Sequence, residues 1–342
     1  MVQARATQVL WTPYRARQTV YPVTLTKSAP AALRSILLTA RTRDPSVHLN
    51  AAYERVGMRS APFTANWQTG PVVAGTFEAR LVLDDESLFA GHYPGAPIFP
   101  GTSLIEALYQ AARNALGGDA CLAEIVACRF HSPLFPGDEI SAHFTLKQAS
   151  TNRTLVEANA SGQAKAAEVT MLLSPPGTNL GAALPAPQWG QAGPGARELD
   201  TSFMERVLPH RPPALLIDSA FVFDLPGGGP ALLARRTVTT GEPCHPGTLI
   251  VESFCQACGL LRAASGSPRE PRDEAKLPVV AKLAGLRFLG EAVPGDLLEH
   301  QVQLVVRTEG GAVFSGQTVV AGRVVLQVAR VVAATMPISS LR

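Results

Sequence analysis

The 342-residue sequence lacks a strong excess of either charge, a long apolar run and a paired arrangement of cysteines. Its formal net charge is only +3, which argues against the strongly basic surface that nucleic-acid-binding proteins need. No apolar run reaches the roughly 18 residues of a membrane span. The five cysteines are an odd set without disulfide-like spacing, which indicates a reducing compartment. These absences predict a cytoplasmic protein that binds no nucleic acid and does not span a membrane.

Acidic residues are also absent from residues 1–43, which contain seven Lys or Arg. This composition is typical of a transit peptide. The alternative, which we favour, is an upstream extension without a fold, because the organised part of the sequence begins just after Met58. Residues 1–60 are therefore predicted to be an unstructured extension and are excluded from the fold prediction.

The sequence does contain an internal repeat. A Pro-Gly-Thr tripeptide is followed by a glutamate five residues after its glycine and by a glutamine four residues later. These residues are Gly101, Glu106 and Gln110 in the first copy and Gly247, Glu252 and Gln256 in the second. An Arg-Phe pair then precedes Pro-Gly-Asp at the same interval in both copies, in "RFHSPLFPGD" and in "RFLGEAVPGD". Two anchors in the same order indicate two related domains.

Each copy combines one apolar helical pattern with several strand patterns. Segments such as "EISAHFTLKQ" and "AVFSGQTVVAG" alternate apolar and polar residues, as strands of an antiparallel sheet do. A helix that is apolar nearly all round must be buried, most simply inside its own sheet. The sequence therefore predicts an α+β fold with two antiparallel sheets, each wrapped around a central helix. We expect a first domain at residues 61–175, a Pro/Gly/Ala-rich linker at 176–199 and a second domain at 200–340.

Several stretches of the sequence resemble the 3-hydroxyacyl-[acyl-carrier-protein] dehydratases of the FabA/FabZ type. "GHYPGAPIFPG" followed by "IEALYQAA" resembles the family signature, and "LPHRPPALLIDSA" and "RFLGEAVPGDLL" resemble two further FabZ-type segments. The resemblance covers about residues 65–175 and 200–337. It implies a double hot-dog fold and the dehydration of 3-hydroxyacyl thioesters to trans-2-enoyl thioesters. The substrate would arrive on the phosphopantetheine arm of an acyl carrier protein, and neither a metal nor another cofactor is implied.

This dehydration requires a base at C2, an acid at the leaving hydroxyl and a group that stabilises charge on the thioester oxygen. His92 suits the base, and a helix glutamate suits the acid if burial raises its pKa. The backbone N–H of Gly101 suits the oxygen, since only glycine lets a substrate approach that backbone closely. The resemblance implies that the base and the acid come from opposite domains, so His92 should face Glu252. Supporting roles are expected for Gln256, Tyr93, Pro94 and Gly95.

The second copy lacks a counterpart of "LFAGHYPGAPI" and therefore of the loop histidine. Glu106 and Gln110 would then belong to a degenerate second site, and one working site is expected per double hot dog. Glu106 has an alternative role as a capping-box partner of Ser103. His245, seven residues before Glu252, is an alternative base for the second copy.

Other residues allow two interpretations each. Cys255 and Cys258 form a C-x-x-C, which occurs in redox and zinc sites, but their place inside the helix favours core packing. His210, in "LPHRPP", either packs or contacts the substrate arm. A group of basic residues either contacts an acidic carrier protein or forms a solvated face: Arg211, Arg235 and Arg236.

Three other functions stay open at this point: a hot-dog thioesterase, an enoyl isomerase and a non-catalytic dehydratase-like subunit. The intact loop around His92 fits a thioesterase poorly and argues against the non-catalytic subunit, whereas a product assay separates the isomerase. The sequence leaves open the acyl chain length, the fatty-acid or polyketide pathway, coenzyme A against carrier protein, and a higher oligomer of double hot dogs.

Overall fold

A computed structural model describes residues 65–178, 195–225, 229–239, 247–266, 276–308 and 310–337. All of them belong to one compact unit, Met58–Arg342. The predicted extension at residues 1–60, most of the predicted linker and the alternative base His245 lie outside the described residues. None of the helices in these ranges is both long and apolar enough to cross a membrane.

The first half of the described chain contains one long helix and six strands. In chain order they are β1 (Gln68–Thr69), β2 (Thr76–Val82), α1 (Gly101–Ala115), β3 (Cys121–Phe130), β4 (Glu139–Ser150), β5 (Arg153–Ser161) and β6 (Lys165–Ser174). A short 3-10 helix, Glu86–Phe89, lies between β2 and α1.

The second half repeats this arrangement with one additional strand and one additional short helix. Its elements are β7 (Arg197–Leu199), α2 (Thr201–Val207), β8 (Ser219–Asp224), β9 (Pro230–Thr237), α3 (Thr248–Ala264), β10 (Lys276–Phe288), β11 (Leu297–Thr308), β12 (Gly311–Val320) and β13 (Arg323–Pro337). Strand β7 falls within the range predicted as linker and pairs with β8.

All strand pairs are antiparallel, and the strands form one continuous sheet in the order β1-β2-β4-β5-β6-β3-β10-β13-β12-β11-β9-β8-β7. The order of the first half is mirrored in the second. The two halves join where β3 pairs with β10, for example at Cys128 opposite Leu283. The double hot-dog fold expected from the sequence is confirmed, and the two sheets meet edge to edge.

The alternating pattern of the strands explains how the sheet covers the helices. In β4 the side chains of Ile140, Ala142 and Phe144 are buried while the residues between them are exposed, because successive side chains point to opposite faces. Phe144 stacks on Phe77 of β2 with ring centroids 4.3 Å apart. One face of the sheet therefore packs on the central helices, with Leu108 of α1 fully buried beneath it.

The connections that lead into the two central helices differ in length. Residues 83–100 connect β2 to α1, whereas only residues 238–247 connect β9 to α3. The longer connection contains the histidine loop, which we define as residues 90–100. The site depends on where this loop lies against the second half.

Candidate active site

The histidine loop buries His92, which is only 7% exposed. Its Nδ1 lies 2.8 Å from the carbonyl oxygen of Ile98. Because a carbonyl oxygen only accepts, Nδ1 carries the hydrogen in the neutral ring, and Nε2 keeps a free lone pair. A neutral His92 can therefore accept a proton at Nε2.

Tyr93 anchors the loop to the second half of the molecule. Its backbone is in the left-handed region, with φ of 53°, which is unfavourable for a bulky residue. The Tyr93 hydroxyl donates a hydrogen bond of 2.7 Å to the carbonyl oxygen of Pro278 on β10. The neighbouring Pro94 and Gly95 are exposed at the crest of the loop. This hydrogen bond and the packing of the ring compensate the cost of the unfavourable backbone.

The loop also docks on residues 208–216, which we call the His-Arg segment. The backbone N–H of Arg211 donates a hydrogen bond of 2.8 Å to the carbonyl oxygen of Gly91. Gly91 has a φ of 73°, and a Cβ atom there would lie 2.2 Å from the carbonyl oxygen of Arg211. Glycine is therefore required at this contact between the two halves.

Glu252, on the first turns of α3, receives hydrogen bonds from three side chains. The Thr102 hydroxyl of α1 donates to Oε2 at 2.8 Å. The amide of Gln256 donates to Oε1 at 3.1 Å, and Nε2 of His210 lies 3.3 Å from the same oxygen. The carboxylate is thus held by α1, by its own helix and by the His-Arg segment.

Gln256 connects this carboxylate to the backbone of the His-Arg segment. Its side-chain oxygen accepts from the N–H of Leu216 at 2.9 Å, and its amide also donates to the carbonyl oxygen of Ala214 at 2.8 Å. Gln256 is 2% exposed. It therefore fixes the position of Glu252 and of the segment together.

The structure brings His92, His210 and Glu252 into one cluster, with one ligand-type atom from each within 4.8 Å of the others. Two imidazoles and a carboxylate are a set that can hold a divalent metal. Here the carboxylate already accepts hydrogen bonds from Thr102 and Gln256 in addition to His210. Protein donors therefore already contact both oxygens of this carboxylate.

The surroundings lower the pKa values of both His92 and Glu252. Burial lowers the pKa of His92 to about 4, with a further contribution from His210, although the charge of Glu252 opposes the shift. For Glu252, burial alone raises the pKa, as expected from the sequence. The hydrogen bond and charge of His210, the charge of His92 and the hydrogen bond from Thr102 outweigh burial, so the pKa of Glu252 lies well below its ordinary value of 4.5. The expectation of a raised pKa is wrong because it left His210 out.

A cavity of about 460 Å³ opens over this cluster and runs along α3. Glu252, Cys255, Gly259 and Arg262 follow one another along the helix side of the cavity. Both cysteines of the C-x-x-C are free thiols, and burial raises their pKa values well above 9.0. Cys255 and Cys258 thus contribute lining and packing, which agrees with the interpretation favoured from the sequence.

Gly101 is the first residue of α1 and lines the cavity. Its N–H has no acceptor within the helix, as at any helix N-terminus. A Cβ atom at Gly101 would lie 2.8 Å from the ring of Phe130, at the end of β3. The requirement for glycine therefore comes first from Phe130, and the expectation that substrate approach alone demands it is incomplete.

Two family models match the chain, one in each half. The model described as ApeI dehydratase matches residues 74–168, and the model described as FabA-like domain matches residues 208–329. A 3-hydroxyacyl-[acyl-carrier-protein] dehydratase FabZ from Anaeromyxobacter sp. (strain Fw109-5) is 37% identical over an alignment of 137 residues, and the match covers 35% of this chain and 84% of that protein. FabZ from Actinobacillus pleuropneumoniae serotype 5b is 32% identical over 139 residues, covering 38% of this chain and 86% of that protein.

The chain belongs to the FabA/FabZ dehydratase family. Solved structures extend the likeness of fold to both halves at once. The dehydratase domain of RzxB from Pseudomonas fluorescens covers 78% of this chain and 96% of its own length, with a TM-score of 0.56 and 17% identity. The dehydratase domain of PpsC from Mycobacterium tuberculosis, solved with C12:1-CoA, covers 81% of this chain with a TM-score of 0.54 and 16% identity.

This FabA/FabZ-type chain repeats part of the site around Glu106 of α1. The amide of Gln110 donates to Glu106 at 3.0 Å, and the Thr248 hydroxyl of α3 donates to it at 3.2 Å. The side-chain oxygen of Gln110 accepts from the N–H of Ala65. These contacts copy those of Glu252 with the halves exchanged. Within the described ranges, no histidine forms a hydrogen bond or an ion pair with Glu106.

The sequence does not assign two of the residues that contact Glu252. His210 was given only packing or contact with the substrate arm, although it approaches Glu252 directly. Thr102 is noted in the sequence only as the last residue of the repeated Pro-Gly-Thr. The presence of a threonine at this place in both copies could have indicated its role, because each threonine hydroxyl donates to the glutamate of the opposite helix.

The basic residues expected to contact a carrier protein differ in exposure. Arg236 is 2% exposed and donates to the carbonyl oxygen of Leu249, so a surface role for it is wrong. Arg235 forms a partly exposed ion pair with Glu299. Arg211 is exposed and lies next to the cluster.

Proposed function

We propose that this chain removes water from 3-hydroxyacyl thioesters carried on acyl carrier protein, giving trans-2-enoyl thioesters at one site per double hot dog. His92 is the base and Glu252 is the acid. The observation that carries the proposal is the meeting of these two side chains, one from each half, in a single cavity.

The base step uses Nε2 of His92. With Nδ1 donating to the carbonyl oxygen of Ile98, the ring is fixed in the tautomer whose Nε2 can accept the C2 proton. Its low pKa keeps the ring neutral at physiological pH. The loop is held in advance by Tyr93 and Gly91, so little reorganisation is required when the substrate binds.

The acid step uses the carboxyl of Glu252. The C2–H bond breaks, the C2=C3 double bond forms, and the C3–O bond breaks as the hydroxyl accepts a proton and leaves as water. Glu252 must hold this proton when the substrate is bound, and burial is the contribution that raises its pKa in this direction. Thr102 and Gln256 keep the carboxyl oriented.

The thioester oxygen gains negative charge as C2 loses its proton. The N–H of Gly101, at the N-terminus of α1, is the donor that we assign to it, because helix N-termini stabilise negative charge. The acyl chain extends into the cavity along α3, past Cys255 and Gly259. Most of this lining is apolar, as an acyl chain requires.

The carrier protein would approach from the side of the His-Arg segment. Arg211 is exposed and follows His210 of the cluster in the chain, and a cation there suits an acidic partner.

The proposal is tested with a set of 3-hydroxyacyl carrier proteins of increasing chain length, each paired with its coenzyme A thioester. The expected product is the trans-2-enoyl thioester, measured by mass spectrometry and ultraviolet absorbance. His92→Ala should lower turnover about a hundredfold to ten-thousandfold, and His143→Ala, on the exposed face of β4, is the matched control.

Each alternative outcome has its own product. Free acid as the main product would identify a thioesterase, and a shifted double bond formed from an enoyl substrate would identify an isomerase. Near-wild-type turnover by a folded His92→Ala variant would remove His92 from the mechanism. No turnover on any thioester would favour the non-catalytic subunit.

A further inference from the structure

The cavity follows a face of α3 on which two small residues lie. Cys255 comes three residues after Glu252 and Gly259 comes seven residues after it, and both line the cavity. Residues at these spacings follow one another along one face of a helix. The cavity therefore passes α3 at a thiol and then at a residue without a side chain.

The equivalent positions of α1 have large side chains. Tyr109, three residues after Glu106, is 3% exposed, and its hydroxyl donates a hydrogen bond of 3.0 Å to the carbonyl oxygen of Ala120. Arg113, seven residues after Glu106, is exposed, and its Nε donates to the carbonyl oxygen of Gly118. The two copies of the helix thus keep the glutamate and differ in side-chain size along the face that follows it.

Gly259 lies inside α3, where glycine is unfavourable for helix stability. A Cβ atom at this position would lie 3.2 Å from Cδ2 of Leu208, which also lines the cavity. Carbon atoms in favourable contact lie about 3.5–4.0 Å apart, so even alanine would push against Leu208. A longer side chain must displace Leu208 or enter the cavity, and either change narrows the space that both residues line.

The strands supply apolar lining to the same cavity. Leu283 of β10 and Val331 of β13 line it and are fully buried, and Val280 and Ala333 of the same strands also line it. The amides of a phosphopantetheine arm would lose their hydrogen bonds to water against such a wall, whereas methylene groups gain from burial there. This lining therefore suits the acyl chain.

The length of the cavity along α3 follows from helix geometry. The helix rises about 4 Å from Glu252 to Cys255 and about 10 Å from Glu252 to Gly259. The rise to Arg262, which lines the cavity further along, is about 15 Å. An extended chain advances about 1.2 Å per bond. With C3 of the substrate beside the acid, chains of about seven, twelve and sixteen carbons reach these three levels.

We propose that Cys255 and Gly259 determine the acyl chain length that the site accepts, and that the site takes long chains of up to about sixteen carbons. Cys255 leaves space for the chain near its seventh carbon, and Gly259 leaves space near its twelfth. The aromatic ring of Tyr109 shows that the same helix position can instead be filled. This inference rests on the proposed function, to which it adds the length of the substrate.

The test measures kcat/KM for 3-hydroxyacyl carrier proteins with chains of about four to sixteen carbons. The wild type should accept the whole range. Cys255→Phe gives α3 the ring that α1 has at Tyr109, without the hydroxyl. Its kcat/KM should fall about tenfold or more for chains longer than about seven carbons. Gly259→Met should cause a fall of this size only beyond about twelve carbons.

Arg113→Met is the matched control, because it places the same methionine at the exposed equivalent position of α1. Its length profile should equal that of the wild type. The melting temperature of each variant shows whether a loss comes from unfolding. Cys255→Leu replaces Cys255→Phe if the larger side chain prevents folding, and its limit should also lie at shorter chains than that of Gly259→Met.

Three results would overturn the inference. Equal losses at every length in the two α3 variants would mean that the arm, rather than the acyl chain, lies beside Cys255 and Gly259. Unchanged length profiles in both would mean that neither residue limits the chain. A wild type that rejects chains longer than about seven carbons would contradict the proposed length. The proposed function fails separately, if the wild type dehydrates no chain of any length or if folded His92→Ala dehydrates them all.

Discussion

Glu252 and Glu106 occupy the same place in the two halves of the molecule and have opposite electrostatic surroundings. Each lies on the second turn of a buried helix, accepts from a glutamine four residues later and accepts from a threonine of the other helix. Only Glu252 also meets His210 and lies in a cavity with His92. The difference between the two carboxyls therefore comes from the histidines.

The pKa directions follow from this difference. Burial raises the pKa of Glu106, and the hydrogen bonds from Gln110 and Thr248 only partly oppose it. The pKa of Glu252 is lowered, because His210 and His92 outweigh burial. A repeated helix can thus supply an identical scaffold twice, while the loop and the His-Arg segment decide which carboxyl takes part in proton transfer.

The largest expected difference is between Glu252→Gln and Glu106→Gln. Glutamine keeps the shape of the side chain but delivers no acidic proton, so Glu252→Gln should lower kcat about a thousandfold. Glu106→Gln should stay within about threefold of wild type, because its site lacks the base loop. Turnover of a 3-hydroxyacyl thioester by folded variants measures both.

Two results would contradict this single-site scheme. A dead Glu106→Gln with an active Glu252→Gln would mean that His92 pairs within its own half. Loss of activity in both folded variants would require a second base, and His245 is the first residue to replace in that case.

The pH dependence of kcat/KM gives the second comparison. His92 acts as a base only when neutral, and burial lowers its pKa to about 4. Activity should therefore persist as the pH falls to 5, where a histidine with an ordinary pKa of about 6.5 would lose roughly thirtyfold. The loss should come as the pH falls through about 4. Circular dichroism at each pH shows that the fold is intact, and an acidic limb near pH 6.5 would contradict the assigned burial.

The threonines provide the third comparison. Thr102→Val removes the hydroxyl that donates to Glu252 while keeping the shape, so we expect kcat to fall about tenfold, the lower end for a hydrogen bond to a charged group. Thr248→Val removes the equivalent bond to Glu106 and should change kcat by less than about twofold. Equal losses in both variants would show that the threonines support helix packing rather than the acid.

The equivalence of the two glutamates could be predicted from the sequence, because both copies place a glutamate five residues after a Pro-Gly glycine and a glutamine four residues later. The pairing of His92 with the opposite half followed from the family resemblance, and the alternating strands β4 and β12 followed from their apolar pattern. His210 was not predicted as a neighbour of Glu252. It lies 42 residues earlier in the chain, and only the docking of the His-Arg segment on α3 brings the two together.

The strands at the centre of the molecule were also not predicted as strands. In β3 the pairing register with β6 shifts twice, between Leu122 and Glu124 and between Ile125 and Ala127. Strand β12 also has such shifts and is nevertheless predicted, so bulges alone do not hide a strand. The sequences of β3, "CLAEIVACRF", and β10, "KLPVVAKLAGLRF", are largely apolar without regular alternation, and periodicity alone does not distinguish such a run from a buried helix. Of the two strands that join the halves, β3 and β10, only the Arg-Phe pairs at their ends were therefore recognised in the sequence.

The smallest expected effect concerns stability and again separates the two carboxyls. Because burial raises the pKa of Glu106, the unfolded chain loses this proton at lower pH than the folded chain does. Below the ordinary pKa of 4.5, Glu106 is protonated in both the folded and the unfolded chain, and the free energy of unfolding does not depend on this group. As the pH rises above 4.5, the free energy of unfolding decreases until Glu106 has ionised in the folded chain as well. Glu106→Gln removes this penalty, so its Tm at neutral pH should exceed that of the wild type by about 1–3 °C. The difference in Tm should vanish at pH 4, which thermal unfolding at the two pH values measures.

For Glu252, the pKa is lowered, so the ionised carboxylate stabilises the folded chain at neutral pH. Glu252→Gln should therefore be less stable than the wild type at neutral pH. A Tm gain of equal size in both variants would mean that the histidines do not distinguish the two carboxyls.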